Sequence, residues 1–168
     1  MSQAVLIGII VGVLAVGTGA AGAWGLRRQI SESARVIAVP DTAPEAAFVG
    51  GAQAATVQVT WPLARLEFFS WGIRLRSNWR FLRFLPMSFP TWEARYAELA
   101  TIKSVLAAAG SGVRFAVTGS PDAVVFWSSR VFWASQNPEI LDRLEAAGAT
   151  VDRTVISLRQ AGGVYRHW

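Results

Sequence analysis

The sequence predicts an α+β protein: one N-terminal transmembrane helix, then a bent antiparallel sheet or partial barrel closed by a C-terminal helix. Three observations carry this. Ala4–Leu26 contains no charged residue and is followed at once by Arg27-Arg28. From Val57 onward apolar and polar residues alternate with a period of two, as they do in strands with one buried face. Near the C-terminus the period lengthens to that of a helix, between Asn137 and Gly148.

The first stretch is long enough to span a bilayer, since a helix of this length rises about 30 Å. Its first half is rich in valine, leucine and isoleucine, and its second half in small residues. Met1-Ser2-Gln3 carries no basic side chain and the arginine pair follows the apolar run, so the positive charge favours a cytoplasmic C-terminal side. The expectation is an uncleaved single-pass anchor in the cell membrane, with the remaining chain in the cytoplasm. The alternative is an exported domain, released by signal-peptide cleavage near Ala21-Gly22-Ala23. Gly8, Gly12, Ala15, Gly19 and Gly22 share one helix face, and small residues at this spacing let a second helix approach closely. A homo-oligomer or a partner protein packed on that face is one reading; the frequency of glycine in membrane helices is the other.

The organisation follows from composition: an anchor over 1–28, a flexible linker over 29–56, one small domain over 57–158 and a tail over 159–168. The linker is dominated by Ser, Ala, Gly and Pro, and a coil of its length reaches roughly 30 Å. The chain of 168 residues holds no cysteine and one histidine, His167. Disulfides, thiol catalysis and thiolate metal sites are excluded, and a Ser-His-Asp triad or histidine metal cluster has too few ligands. No cofactor or metal is expected.

Within the domain, Phe69, Trp71, Ile73 and Leu75 alternate with Ser70, Gly72, Arg74 and Arg76. Leu66 and Phe68 sit in the opposite phase, and a β-bulge at Phe68-Phe69 accounts for the slip. Trp92–Leu99 and Thr101–Val105 read as strands, and Val113, Phe115 and Val117 as the inward positions of another. Gly119-Ser120-Pro121-Asp122 is a turn, and Ala123–Trp127, apolar throughout, a covered central strand. In the helix Asn137 is placed to cap the N-terminus, Pro138 suits the first turn, Glu139 complements the dipole and Gly148 the C-terminal cap. Ile140, Leu141, Leu144 and Ala147 form its apolar stripe.

About seven short strands followed by one closing helix resemble the pleckstrin-homology-like superfamily, including bacterial PH and GRAM domains. The residues that carry the resemblance are Gly72-Ile73-Arg74-Leu75, Gly112-Val113-Arg114-Phe115, Val124-Val125-Phe126-Trp127-Ser128 and Pro138-Glu139-Ile140-Leu141-Asp142-Arg143-Leu144, within Thr60–Ala149. The resemblance implies a non-enzymatic module that binds or scaffolds at the cytoplasmic membrane face. Lipid-binding members of that family use basic residues around the first hairpin, which here implies Arg74, Arg76, Arg80 and Arg83, with Trp79 among them, as contacts for anionic lipid headgroups. A strand face whose arginines pair with Glu93, Glu98 or Glu67 is the structural alternative.

Other partners are weighed on the same residues. The three basic and three acidic residues before Val57 cancel, so the net charge of +5 belongs to the domain, but no nucleic-acid motif accompanies it and no nucleic-acid partner is expected. Trp61, Trp79, Trp92, Trp127 and Trp133 are numerous for so small a domain. If exposed, they and the glycine-rich helix would suit a subunit of a larger membrane complex. Catalysis would have to use Glu67, Glu93, Glu98, Asp122, Asp142 or Asp152, which show no catalytic spacing, and Gly110-Ser111-Gly112 lacks the helix that a phosphate loop needs.

Overall fold

The computed structural model describes residues 34–37, 42–54, 57–78, 89–107, 110–120, 123–128 and 135–157. In chain order the elements are β1 (Ala46–Ala54), β2 (Val57–Phe69), β3 (Gly72–Ser77), β4 (Trp92–Arg95), a 3-10 turn (Tyr96–Glu98), β5 (Ile102–Ala107), β6 (Gly110–Ala116), β7 (Ala123–Trp127), α1 (Asn137–Ala146) and β8 (Val151–Ser157). All eight strands belong to one open sheet in the order β4-β3-β2-β1-β7-β6-β5-β8. Its pairs are antiparallel except the edge pair β5–β8, which is parallel.

The phase slip at Phe68-Phe69 is a chain reversal, not a bulge. Phe68 pairs with Ile73 and Phe69 with Gly72, leaving Ser70-Trp71 as a two-residue hairpin loop. Such a loop pairs residues of opposite parity, so the inward set changes from Ala64, Leu66 and Phe68 to Ile73 and Leu75. All five are buried in one core. The register irregularity in this region lies instead between Gly50 and Ala52 of β1. It faces residues 60–63 of β2, where Pro62 has no backbone N–H to contribute.

The sheet doubles over on itself. Residues from β2, β3 and β4 share the core with Ile102, Val113, Phe115 and Val117 from the other half, and the rings of Trp92 and Phe115 lie 6.3 Å apart. Leu99 bridges to Val117, and the Ala100 N–H donates to the Ala116 carbonyl at 3.0 Å. Ile140, Leu141 and Leu144 of α1 complete this core.

The fold class read from the sequence is therefore corrected: the described chain is mostly sheet, the sheet is open, and the one helix described does not close it. Helix α1 ends at a reversal that sends the chain back to the sheet edge. Gly148 takes φ 84°, its N–H donates to the Glu145 carbonyl at 2.9 Å and that of Ala149 to Leu144 at 3.0 Å, a Schellman turn. The Ile102 N–H then accepts this geometry by donating to Thr150 at 2.8 Å, which seats β8 beside β5. Among the described residues no helix is long and apolar enough to cross a membrane. The stretch Ala4–Leu26, with Gly8, Gly12, Ala15, Gly19 and Gly22, lies outside the described residues, as does the tail 159–168.

Two further expectations change. The segment read as the end of a flexible linker contains β1, a central strand between β2 and β7. It escapes an alternation test because Gly50 to Ala54 are buried on both faces. Glycine is required there: a side chain at Gly50 would strike the Trp127 carbonyl and the Phe126 ring, and one at Gly51 the Trp127 indole. Asn137 is the first helical residue, not the cap, and Gln136 precedes the helix without a side-chain capping bond. The Asn137 amide is buried, accepts from the Ser128 hydroxyl at 3.0 Å and donates to the Ser111 carbonyl at 2.9 Å, joining α1 to β6 and β7. Ala147 is exposed, and Ala149 is the buried residue beyond the turn.

Candidate functional site

The arginines singled out in the sequence stand on the face of β2, β3 and β4 that points away from the core. Alternation puts Arg65, Glu67 and Phe69 of β2 on that face, with Arg74 and Arg76 of β3 and Glu93 of β4. In register Arg65 opposes Arg76, and Glu67, Arg74 and Glu93 form a row across three strands. Like charges directly opposed across a strand pair are destabilising. Glu67, one position further along, resolves this: it accepts from Arg65 Nε at 2.8 Å and from Arg76 Nε and Nη2 at 2.9 and 2.7 Å. Arg74 donates Nε to Glu93, which also accepts the Ile37 N–H at 2.7 Å. Its guanidinium lies over the Phe69 ring, 4.9 Å from the centroid, and Phe69 in turn stacks on Trp71 at 5.0 Å.

Both glutamates are buried, while the Arg76 side chain keeps 42% of its surface exposed. Taking a carboxylate out of water costs several kcal/mol unless charge and hydrogen bonds replace the lost hydration. Here each receives at least two donors. Of the five predicted lipid contacts, Arg74 and Arg76 are thus brought together and engaged by buried carboxylates. Trp79, Arg80 and Arg83 lie outside the described residues.

The segment 34–37 is tied to the same corner. Arg35 makes a parallel bridge to Trp92, and its Nη2 donates to Glu98 Oε2 at 2.9 Å. Glu98 also accepts the Arg95 N–H at 3.1 Å across the 3-10 turn. The remaining candidate acids that are described are engaged as well. Arg153 holds Asp142 at 2.7 Å and Glu145 at 2.8 Å, and Asp152 accepts the Thr154 N–H at 3.0 Å. Asp122 lies outside the described residues. No group of three or more potential metal ligands occurs among the described residues.

A cleft of about 360 Å³ opens where the second half of α1 passes the β2–β3 hairpin, lined by Glu45, Phe68, Phe69, Ser70, Tyr96 and Arg143 among others. Sequence reading had no means of finding it, because its residues come from four separate parts of the chain. The Tyr96 hydroxyl donates to the Phe69 carbonyl at 3.0 Å. Burial, and next the charge of Glu45, push its ionisation up to about 12, with Arg143 pulling the other way. The unfolded chain loses this proton near pH 10 while the folded protein keeps it, so Tyr96 contributes stability below pH 10 that is lost as the pH rises toward 12. Tyr96→Phe is expected to flatten the fall of stability between pH 10 and 12. Urea unfolding across that range checks it, and an unchanged slope would contradict the assignment.

The tryptophans divide differently from the reading that left them exposed. Trp92 and Trp127 are buried, at 0% and 2% exposure, and Trp61 is half-buried. Trp79 and Trp133 lie outside the described residues. Among the described residues the large apolar side chains that are exposed are Val36, Leu106 and Val155. No family model matches this chain, and no curated protein matches it.

Proposed function

We propose that the protein is a membrane-attached, non-enzymatic module that binds or scaffolds at the cytoplasmic face of the cell membrane. Attachment is supported by the uncharged stretch Ala4–Leu26 and the arginine pair that closes it. The observation that carries the non-enzymatic reading is the engagement of the carboxylates. Glu67, Glu93, Glu98, Asp142 and Asp152 each accept hydrogen bonds from arginine or backbone donors. A general acid or base must exchange its proton with a substrate, and carboxylates held in this way serve the sheet instead.

The lack of cysteine makes topology directly measurable. Cysteine is introduced at Ser2 and, separately, at Ser70, an exposed residue of the β2–β3 loop, and intact cells are treated with a membrane-impermeant thiol reagent. Ser70 is preferable to Ser111, whose carbonyl and hydroxyl both meet Asn137. Labelling of Ser2→Cys without Ser70→Cys is the expected result. Labelling of Ser70→Cys, with the chain shortened near Ala23, would establish the exported alternative.

A further inference from the structure

The opposite half of the sheet carries two cations that the ion-pair lattice does not use. Lys103 of β5 pairs directly with Arg114 of β6, so both leave the sheet on one face. Because Val113 and Phe115 point into the main core, that face is the other one. In register Arg114 lies beside Val125 of β7, and Val125 beside Gln53 of β1. One position along, Val105, Val125, Trp127 and Ile156 form a small apolar cluster on the same face.

Neither cation has a carboxylate. Arg114 is half-buried, its Nε has no exposed surface and no acceptor, and burial lowers its ionisation. The acid nearest in register is Asp152, opposite Lys103 on β8. Its Oδ1 is held by the Thr154 N–H at 3.0 Å, and it is no ion-pair partner of Lys103. The contrast with the first face matters: there the opposed pair Arg65 and Arg76 is reconciled by Glu67, whereas the opposed pair Lys103 and Arg114 has no such residue. Adjacent like charges with a desolvated, unused donor form a position that a bound anion would relieve.

We propose that Lys103 and Arg114 form a binding position for a phosphate group. A phosphate accepts from a guanidinium fork and an ammonium at once and carries enough charge to match both, while a carboxylate matches one. The adjoining Val105, Trp127 and Ile156 offer apolar contact to the remainder of the ligand. This rests on the binding-module reading but not on membrane attachment, since a free phosphate ester and a lipid headgroup present the same chemistry.

The test uses the full chain in neutral detergent micelles, titrated with inorganic phosphate and, separately, with short-chain phosphatidic acid, and followed by phosphorus NMR line width. Saturable broadening is expected, with affinity falling about tenfold or more in Arg114→Gln and in Lys103→Gln. Arg153→Gln, whose side chain has its own carboxylates, is expected to bind as the unsubstituted protein does. Arg114→Lys keeps the charge without the fork and is expected to fall between. Far-ultraviolet circular dichroism of each variant separates loss of binding from loss of fold. Saturation by phosphatidic acid alone identifies a lipid source, and saturation by both a free phosphate. No saturation by either, or equal binding by the unsubstituted protein and folded Arg114→Gln, overturns the proposal. Such a failure leaves the labelling pattern of Ser2→Cys and Ser70→Cys untouched, and a failure of that pattern leaves the phosphate titration untouched.

Discussion

Replacing Trp92 by alanine is expected to destabilise the fold by about 3–5 kcal/mol, the range for removing a large aromatic side chain from a packed core. Trp92 is fully buried, packs near Phe115 and joins the two halves of the doubled sheet. Such a loss consumes much of the about 5–15 kcal/mol that holds a domain folded. Phenylalanine should behave very differently. The Trp92 Nε1 is buried without an acceptor, a condition that costs about 1–3 kcal/mol. Trp92→Phe removes this donor as it leaves a smaller cavity, and the two effects oppose, so a change within about 1 kcal/mol is expected. Urea unfolding followed by circular dichroism reads both variants. Equal damage from phenylalanine and alanine would mean that the indole N–H contributes a hydrogen bond.

The second large effect is expected at Glu67. Glu67→Gln keeps the shape and removes the charge that holds Arg65 and Arg76 together. Breaking a buried ion pair from one side costs about 3–5 kcal/mol, and because the two arginines are 35% and 42% exposed and can rehydrate, a loss of about 2–3 kcal/mol is expected. A double-mutant cycle with Arg76→Gln should show coupling of about 1 kcal/mol or more. Since Glu67 is buried, raising the salt concentration should change this coupling little. Additive single effects, or coupling that vanishes in salt, would reduce the lattice to a surface feature.

The two residues also show where sequence reading succeeds and where it stops. The alternation around Arg74 and Arg76 places both on one strand face, and Glu67 and Glu93 were available as partners. That the glutamates are buried and the arginines bent over them follows from register, which pairs Glu67 with Arg74 and Arg74 with Glu93 across three strands. Register depends on a two-residue loop at Ser70-Trp71 that the same alternation disguised as a bulge. The cleft at Tyr96 and the opposed pair Lys103 and Arg114 were invisible for a similar reason, since they join residues remote in the chain.

What the sequence determined by itself is local: strands wherever apolar residues alternate, the helix 137–146 and its glycine stop, and the uncharged N-terminal stretch. These follow from side-chain period, proline and glycine geometry, and charge. Tertiary structure decided the rest. It recruited the glycine-rich Ala46–Ala54 as a central strand, because only residues without bulk fit against Trp127 and Phe126. It opened the sheet and laid β8 parallel to β5, because a Schellman turn returns the chain to that edge. It also buried two glutamates among arginines, a choice made by pairing partners that lie up to 63 residues apart, Arg35 and Glu98 included. Local pattern fixes what each segment can be; which segments meet is set by the joint packing of all of them.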